Sequence, residues 1–150
     1  MSPGTTHSVL VLHGPNLNLL GEREPDVYGS LTLEHIDGLI RARARVLGLE
    51  VRCAHSNVEG ELIDRIQDAR TWAHAIVINP GGYAHTSVAI RDAIAAVRLP
   101  TVVVHVSNPA AREAFRHTEL VAGAATGMVA GFGVQSYLLA LEAVRAILET

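Results

Sequence analysis

The sequence predicts an α/β protein: a three-layer α/β/α sandwich with helices on both faces of a five-stranded parallel sheet. Three observations carry that prediction. The 150 residues, 49% hydrophobic and 18% charged, suit a single globular domain spanning 1–150 with one core. Short β-branched runs recur along the chain and alternate with stretches of helical apolar spacing. Strands separated by helices return parallel, because a parallel return needs a crossover, and right-handed crossovers cover both faces of the sheet. No linker, repeat or low-complexity tract interrupts the pattern.

In chain order, the strands are expected at Ser8–Leu12, Glu50–Ala54, Ala75–Asn79, Thr101–Val106 and, less clearly patterned, Thr126–Ala130. Each is a buried-strand run bounded by turn residues or helical stretches. Between them, Leu33, Ile36, Ile40 and Leu47 share one helical face, as do Leu62, Ile63 and Ile66, and then Val88, Ile90, Ala93, Ile94 and Val97. Thr32, Asn57 and Thr86 stand where N-caps belong, Gly48 suits a C-terminal stop, and Pro100 separates the third helix from the next strand. A last helix is expected from about Val134 to Leu148. The long irregular segments are Gly14–Leu31 and Ser107–Gly123, and both follow strands.

Composition removes several functions. All 12 basic residues are arginine and no lysine occurs, so there is no lysine Schiff base, pyridoxal phosphate anchor or phosphate-loop lysine. A net charge of -3 with scattered arginines gives no basic stripe for nucleic acid. Cys53 is the single cysteine, which excludes intramolecular disulfides and multi-cysteine metal sites and suits a reducing cytosol. The apolar run Val9–Leu12 is too short for a signal core, and no run reaches the roughly 18 apolar residues of a membrane span, so a cytoplasmic protein is expected. The 8 histidines show no helical His-x-x-x-His pair, and no metal site is expected.

In an open parallel sheet, ligands bind outside the carboxyl ends of the strands. There the first strand leads into His13-Gly14-Pro15-Asn16 and on to Arg23 and Tyr28, a loop longer than the roughly 12 residues beyond which connections are often lids or binding loops. If Arg23 approaches Tyr28, a cation beside the phenol favours a phenolate base, although a tyrosine packed under the loop fits the spacing as well. The third strand leads through Asn79-Pro80-Gly81-Gly82 and His85 toward a helix N-terminus suited to oxyanions, while Pro-Gly-Gly is also an ordinary turn. The fourth leads into His105-Val106-Ser107-Asn108, then Arg112 and Arg116, four apart and so on one helical face, facing an anionic ligand or solvent. His105 fits a hydrogen-bonded buried imidazole and an acid/base group equally. With no paired carboxylates for magnesium and no G-x-G-x-x-G fingerprint, what remains is proton transfer on an anionic, oxygen-rich small molecule.

At these residues the sequence resembles the type II 3-dehydroquinate dehydratases, or type II dehydroquinases. The resemblance rests on His13-Gly-Pro-Asn-Leu-Asn-Leu-Leu-Gly-x-Arg-Glu-Pro-x-x-Tyr-Gly29, Ser56-Asn-x-Glu-Gly-Glu-Leu-Ile-Asp64, Asn79-Pro-Gly-Gly-Tyr83, His85-Thr-Ser-Val-Ala-Ile-Arg-Asp92 and Val104-His-Val-Ser-Asn108. Ordered motifs over nearly the whole chain are far more specific than any one of them. The resemblance implies a flavodoxin-like fold of strand order 2-1-3-4-5, a dodecamer built from trimers, no cofactor, and reversible anti dehydration of 3-dehydroquinate to 3-dehydroshikimate in the shikimate or quinate pathway. It further implies Tyr28 as tyrosinate base assisted by Arg23 and Arg112, Asn16 holding a water at the enolate oxygen, and His105 as acid. Asn79, Ser107 and the backbone N–H groups of Val106 and Ser107 would hold the substrate carboxylate, His85 and Arg116 the ring hydroxyls. Asp92 would reach a neighbouring subunit's site.

One departure bears on the chemistry. The family usually has Glu-Val-His, but the position two before His105 is Val103. A carboxylate there would orient the imidazole and favour its protonated form. Either another group takes over, or His105 is a poorer acid and turnover is lower than in relatives with the glutamate. Ala84 and Arg65 are smaller departures. The remaining alternatives are a low-activity or specialised homologue and, more remotely, a non-enzymatic flavodoxin-like binding module.

Overall fold

β1 spans His7–His13, and its inner residues, Val9 to His13, are fully or almost fully buried. A strand apolar on both faces belongs at the centre of a parallel sheet. The computed structural model places it there and describes residues 6–22, 24–28 and 30–150, with the side chains of Pro25 and Tyr28 outside that description. β2 (Leu49–His55), β3 (Ala75–Asn79), β4 (Thr101–His105) and β5 (Gly127–Ala130) complete a five-stranded sheet in the order β2-β1-β3-β4-β5. Every pairing is parallel, and the register sets His13 opposite both His55 and Asn79.

Helices follow the periodicities. After the one-turn helix α1 (Pro25–Tyr28) come α2 (Leu33–Val46), α3 (Glu59–Asp68), α4 (Val88–Val97) and α5 (Gln135–Leu148). Alternation along the strands sends Val9, Val11, Ala75, Val77, Val102 and Val104 to the face covered by α2 and α5. Leu10, Leu12, Ile76, Ile78 and Val103 go to the face covered by α3 and α4.

Thr32 caps α2 by accepting from the His35 N–H, as expected, and Gly48 follows α2 at φ +72°, the left-handed conformation that ends a helix. The other two caps are displaced. Ser87, not Thr86, caps α4 by accepting from the Ile90 N–H, because a 3-10 turn at Gly81–His85 delays the helix. α3 has no side-chain cap; Val58 occupies its N-cap position, and Asn57 accepts instead from the Asn16 N–H at 2.8 Å. The connection from β4 to β5 holds three 3-10 turns in place of an α-helix. Arg112, extended at φ −111° and ψ −161°, lies between two of them, so Arg112 and Arg116 do not share a helical face.

Candidate active site

The carboxyl ends of β1 and β3 are locked together by backbone. The Gly14 N–H donates to the Asn79 carbonyl at 2.7 Å, and a Cβ on Gly14 would lie 2.7 Å from the Pro80 carbonyl carbon and oxygen. Only glycine permits that approach. Gly81, at φ +58°, packs against the Pro15 carbonyl in return. Asn16 follows in the left-handed region at φ 70°, tolerable for asparagine, and its N–H is fixed by Asn57.

A directional chain of hydrogen bonds orients Asn79. The Asp37 carboxylate only accepts, so His13 Nε2, 2.7 Å away, carries a proton toward it. In the neutral ring, His13 Nδ1 then accepts from the Tyr137 hydroxyl at 3.0 Å, whose oxygen accepts from Asn79 Nδ2 at 2.9 Å. Asn79 Oδ1 accepts from the Gly81 N–H at 3.1 Å, which fixes both ends of the amide. Burial pushes the Tyr137 phenol pKa upward, so it stays a neutral donor. At Asp37 burial acts to raise the carboxyl, but the His13 hydrogen bond, with help from Cys53 and Arg41, holds it below the usual value. Among the described residues, His13, Asp37 and Cys53 also bring ligand atoms within 4.8 Å of one another, a set these hydrogen bonds already account for.

On the opposite sheet face, alternation puts His105 above Val103. The His105 ring stacks on His85 with centroids 6.0 Å apart and planes 11° apart. Glu119 stands beside both: its carboxylate oxygens lie 3.1 and 3.4 Å from His105 Nε2, and one lies 3.9 Å from His85 Nδ1. His85 Nδ1 donates to the Thr118 carbonyl at 2.7 Å. Beyond β4, Arg112 donates to Ser107 Oγ at 3.2 Å and faces Glu24 at 3.7 Å, while Arg116 is held by Glu113 at 3.1 Å.

Several of these groups meet at one cleft of about 120 Å³, small for a dinucleotide site and lined mainly by polar groups. Asn16, Asn79, His85, His105, Val106, Ser107, Arg112 and Arg116 all line it, which brings together eight of the sequence-predicted residues. Asp92 is exposed on α4, outside the lining. Arg23 and the Tyr28 side chain lie outside the described residues.

Sequence reasoning missed the scaffold behind these groups. Ser56 donates to Glu61 at 2.5 Å, Ser87 donates to Glu59 at 2.6 Å, and Tyr83 donates to the Asn57 carbonyl at 3.2 Å. The Ser56–Asp64 motif thus ties loops together rather than meeting the cleft. Glu119 carried no sequence signal, since its closeness to His105 exists only in the fold.

A family model described as Dehydroquinase class II matches residues 7–145. The 3-dehydroquinate dehydratase of Phenylobacterium zucineum is 61% identical over 135 residues, covering 90% of this chain and 93% of its own. That of Ruegeria pomeroyi is 55% identical over 139 residues, 93% of each chain. The crystal structure of type II dehydroquinase from Butyrivibrio crossotus superposes with TM-score 0.92 at 40% identity, covering 94% of this chain and 99% of the other.

Proposed function

The chain belongs to the class II dehydroquinase family, and from that premise we propose how its 3-dehydroquinate dehydratase activity works. The reaction is reversible anti elimination of water giving 3-dehydroshikimate, a step of the shikimate or quinate pathway. Tyr28, as tyrosinate, takes the C2 proton next to the ketone, with Arg23 and Arg112 favouring the phenolate. The electrons move toward the ketone oxygen, and a water positioned by Asn16 donates to the developing enolate. The enolate then collapses, the C1–O bond breaks, and the hydroxyl leaves as water with a proton from His105. Asn79, Ser107 and the backbone N–H groups of Val106 and Ser107 take the substrate carboxylate, while His85 and Arg116 meet the ring hydroxyls.

The convergence of His105, His85, Asn79, Asn16 and both arginines on one polar cleft supports this reading most strongly. Neutral donors and cations surround the space, the arrangement an anion with a developing enolate requires. The family also suggests a dodecamer built from trimers, with Asp92 at a neighbouring subunit's site. Its exposed position on α4 leaves it available for such a contact.

The test is to mix purified protein with 3-dehydroquinate and follow the absorbance of the conjugated enone. The parent forms product, and Tyr28→Phe abolishes it because the ring remains while the proton acceptor is lost. No product from the parent refutes the activity; full rate from Tyr28→Phe refutes the base.

A further inference from the structure

We propose that Glu119 is the positioning residue that orients His105 and stabilises its protonated ring, in place of a carboxylate on β4. The proposal rests on the reading of His105 as the acid. Val103 is fully buried in an apolar layer with Ile76, Ile78, Ile90 and Val121, so β4 offers the ring no charged neighbour there. The carboxylate arrives instead from the loop after the last residues of the Ala114–His117 turn.

That loop is held firmly. The Leu120 N–H donates to the Ala84 carbonyl at 2.8 Å, Arg91 donates to the Leu120 carbonyl at 2.7 Å, and Val121 is fully buried. These anchors fix the backbone on the C-terminal side of Glu119, and the His85 bond to Thr118 fixes the other side. The Glu119 and His105 side chains are 18% and 8% exposed, so water screens the pair weakly. Glu119 Oε1 is buried and finds no well-angled hydrogen-bond donor among the described residues, although it lies 3.1 Å from His105 Nε2. A buried anionic oxygen so placed gains most when the ring beside it is cationic.

The geometry also assigns the two ring nitrogens. Nε2 faces Glu119, and Nδ1 meets no protein partner among the described residues. The imidazolium then gives its Nδ1 proton to the departing hydroxyl. The neutral product ring keeps its Nε2 proton against the carboxylate, ready to be recharged. Glu119 itself does not line the cleft, so it acts through His105 and not on the substrate.

Glu119→Gln keeps the shape and removes the charge. We expect kcat to fall by about 10- to 100-fold, the size of loss known for removing a carboxylate that orients a metal-bound imidazole, with KM moving less than about threefold. Glu119→Asp, which keeps the charge, recovers part of the rate. Ring nitrogen-15 NMR supplies a readout independent of turnover: in the parent, neutral His105 carries its proton on Nε2, and Glu119→Gln moves the His105 ring resonances. An unchanged kcat, or a lowered kcat with unmoved His105 resonances, overturns the proposal. So does a parent His105 whose neutral ring is protonated only on Nδ1, a result that needs no variant to fold. A parent protein inactive on 3-dehydroquinate would refute the proposed function, while the ring spectra would still decide the contact.

Discussion

Tyr137→Phe is a direct test of the hydrogen-bonded chain that orients Asn79. The substitution keeps a fully buried ring in place and removes one oxygen. That oxygen takes part in two buried bonds, donating to His13 Nδ1 at 3.0 Å and accepting from Asn79 Nδ2 at 2.9 Å. Each bond contributes about 1 kcal/mol net, and each stranded polar atom adds part of the roughly 1–3 kcal/mol desolvation penalty. The working figure is a loss of about 3 kcal/mol, since apolar packing is unchanged. For a domain of this size that lowers the apparent Tm by about 6–12 °C. Thermal unfolding followed by circular dichroism, at one protein concentration so that assembly does not confound it, measures the shift. Because Asn79 loses the acceptor that orients its amide, KM for 3-dehydroquinate should rise more than kcat falls. A Tm drop under about 2 °C would mean that the three side chains do not form a coupled chain, and the reasoning would fail.

Two further outcomes follow from the same geometry. Gly14→Ala drives a Cβ to 2.7 Å from the Pro80 backbone, so we expect overpacking to destabilise by about 1–3 kcal/mol and to lower kcat by separating Asn16 from Asn79; a parent-like urea midpoint and rate would contradict the contact. The Cys53 thiol is pushed up to about 12, first by burial and then by the Asp37 charge. Labelling by a disulfide reagent at pH 8 should therefore run roughly 50-fold slower in the native protein than in urea, since the scarcer thiolate is partly offset by its greater nucleophilicity, and a difference under tenfold would refute that environment.

The sheet was legible because its central strands are buried on both faces and therefore read as unbroken apolar runs, Val9–Leu12 and Val102–Val104. The eight lining residues were legible because each stands at the last residue of a strand or on the segment that leaves it, where the topology itself brings β1, β3 and β4 together. The caps were harder. Ser87 and Thr86 are adjacent and both favourable as caps, and the 3-10 turn Gly81–His85 decided between them. The spacing of Arg112 and Arg116 suggested a helix, but Asn108 accepts from the Ala110 N–H and confines Pro109–Ala111 to a single turn, after which Arg112 is extended. Illegible in principle were the pairs that only tertiary structure creates: His13 with Tyr137, 124 positions apart, and Asn79 with the same hydroxyl, 58 apart.

A chain without lysine cannot hold a ketone as an imine, so its charge stabilisation must come from groups already in place. Here the basic groups around the cleft are each tethered on one side by carboxylates. Arg112 faces Glu24 and Glu113, Arg116 is held by Glu113, and His105 is held by Glu119. A guanidinium has five donors in a fixed fork, so a carboxylate on one edge orients it without exhausting it. The anionic partners do not cancel the site's attraction for an anion, because Glu24 and Glu113 are about half exposed and screened by water. Glu119 is not screened in that way, and it sits beside His105, the group whose charge would appear and disappear during turnover in the proposed mechanism. The exposed carboxylates can therefore hold arginines whose charge is permanent. The buried one belongs with the histidine, where its influence on a moving proton is greatest.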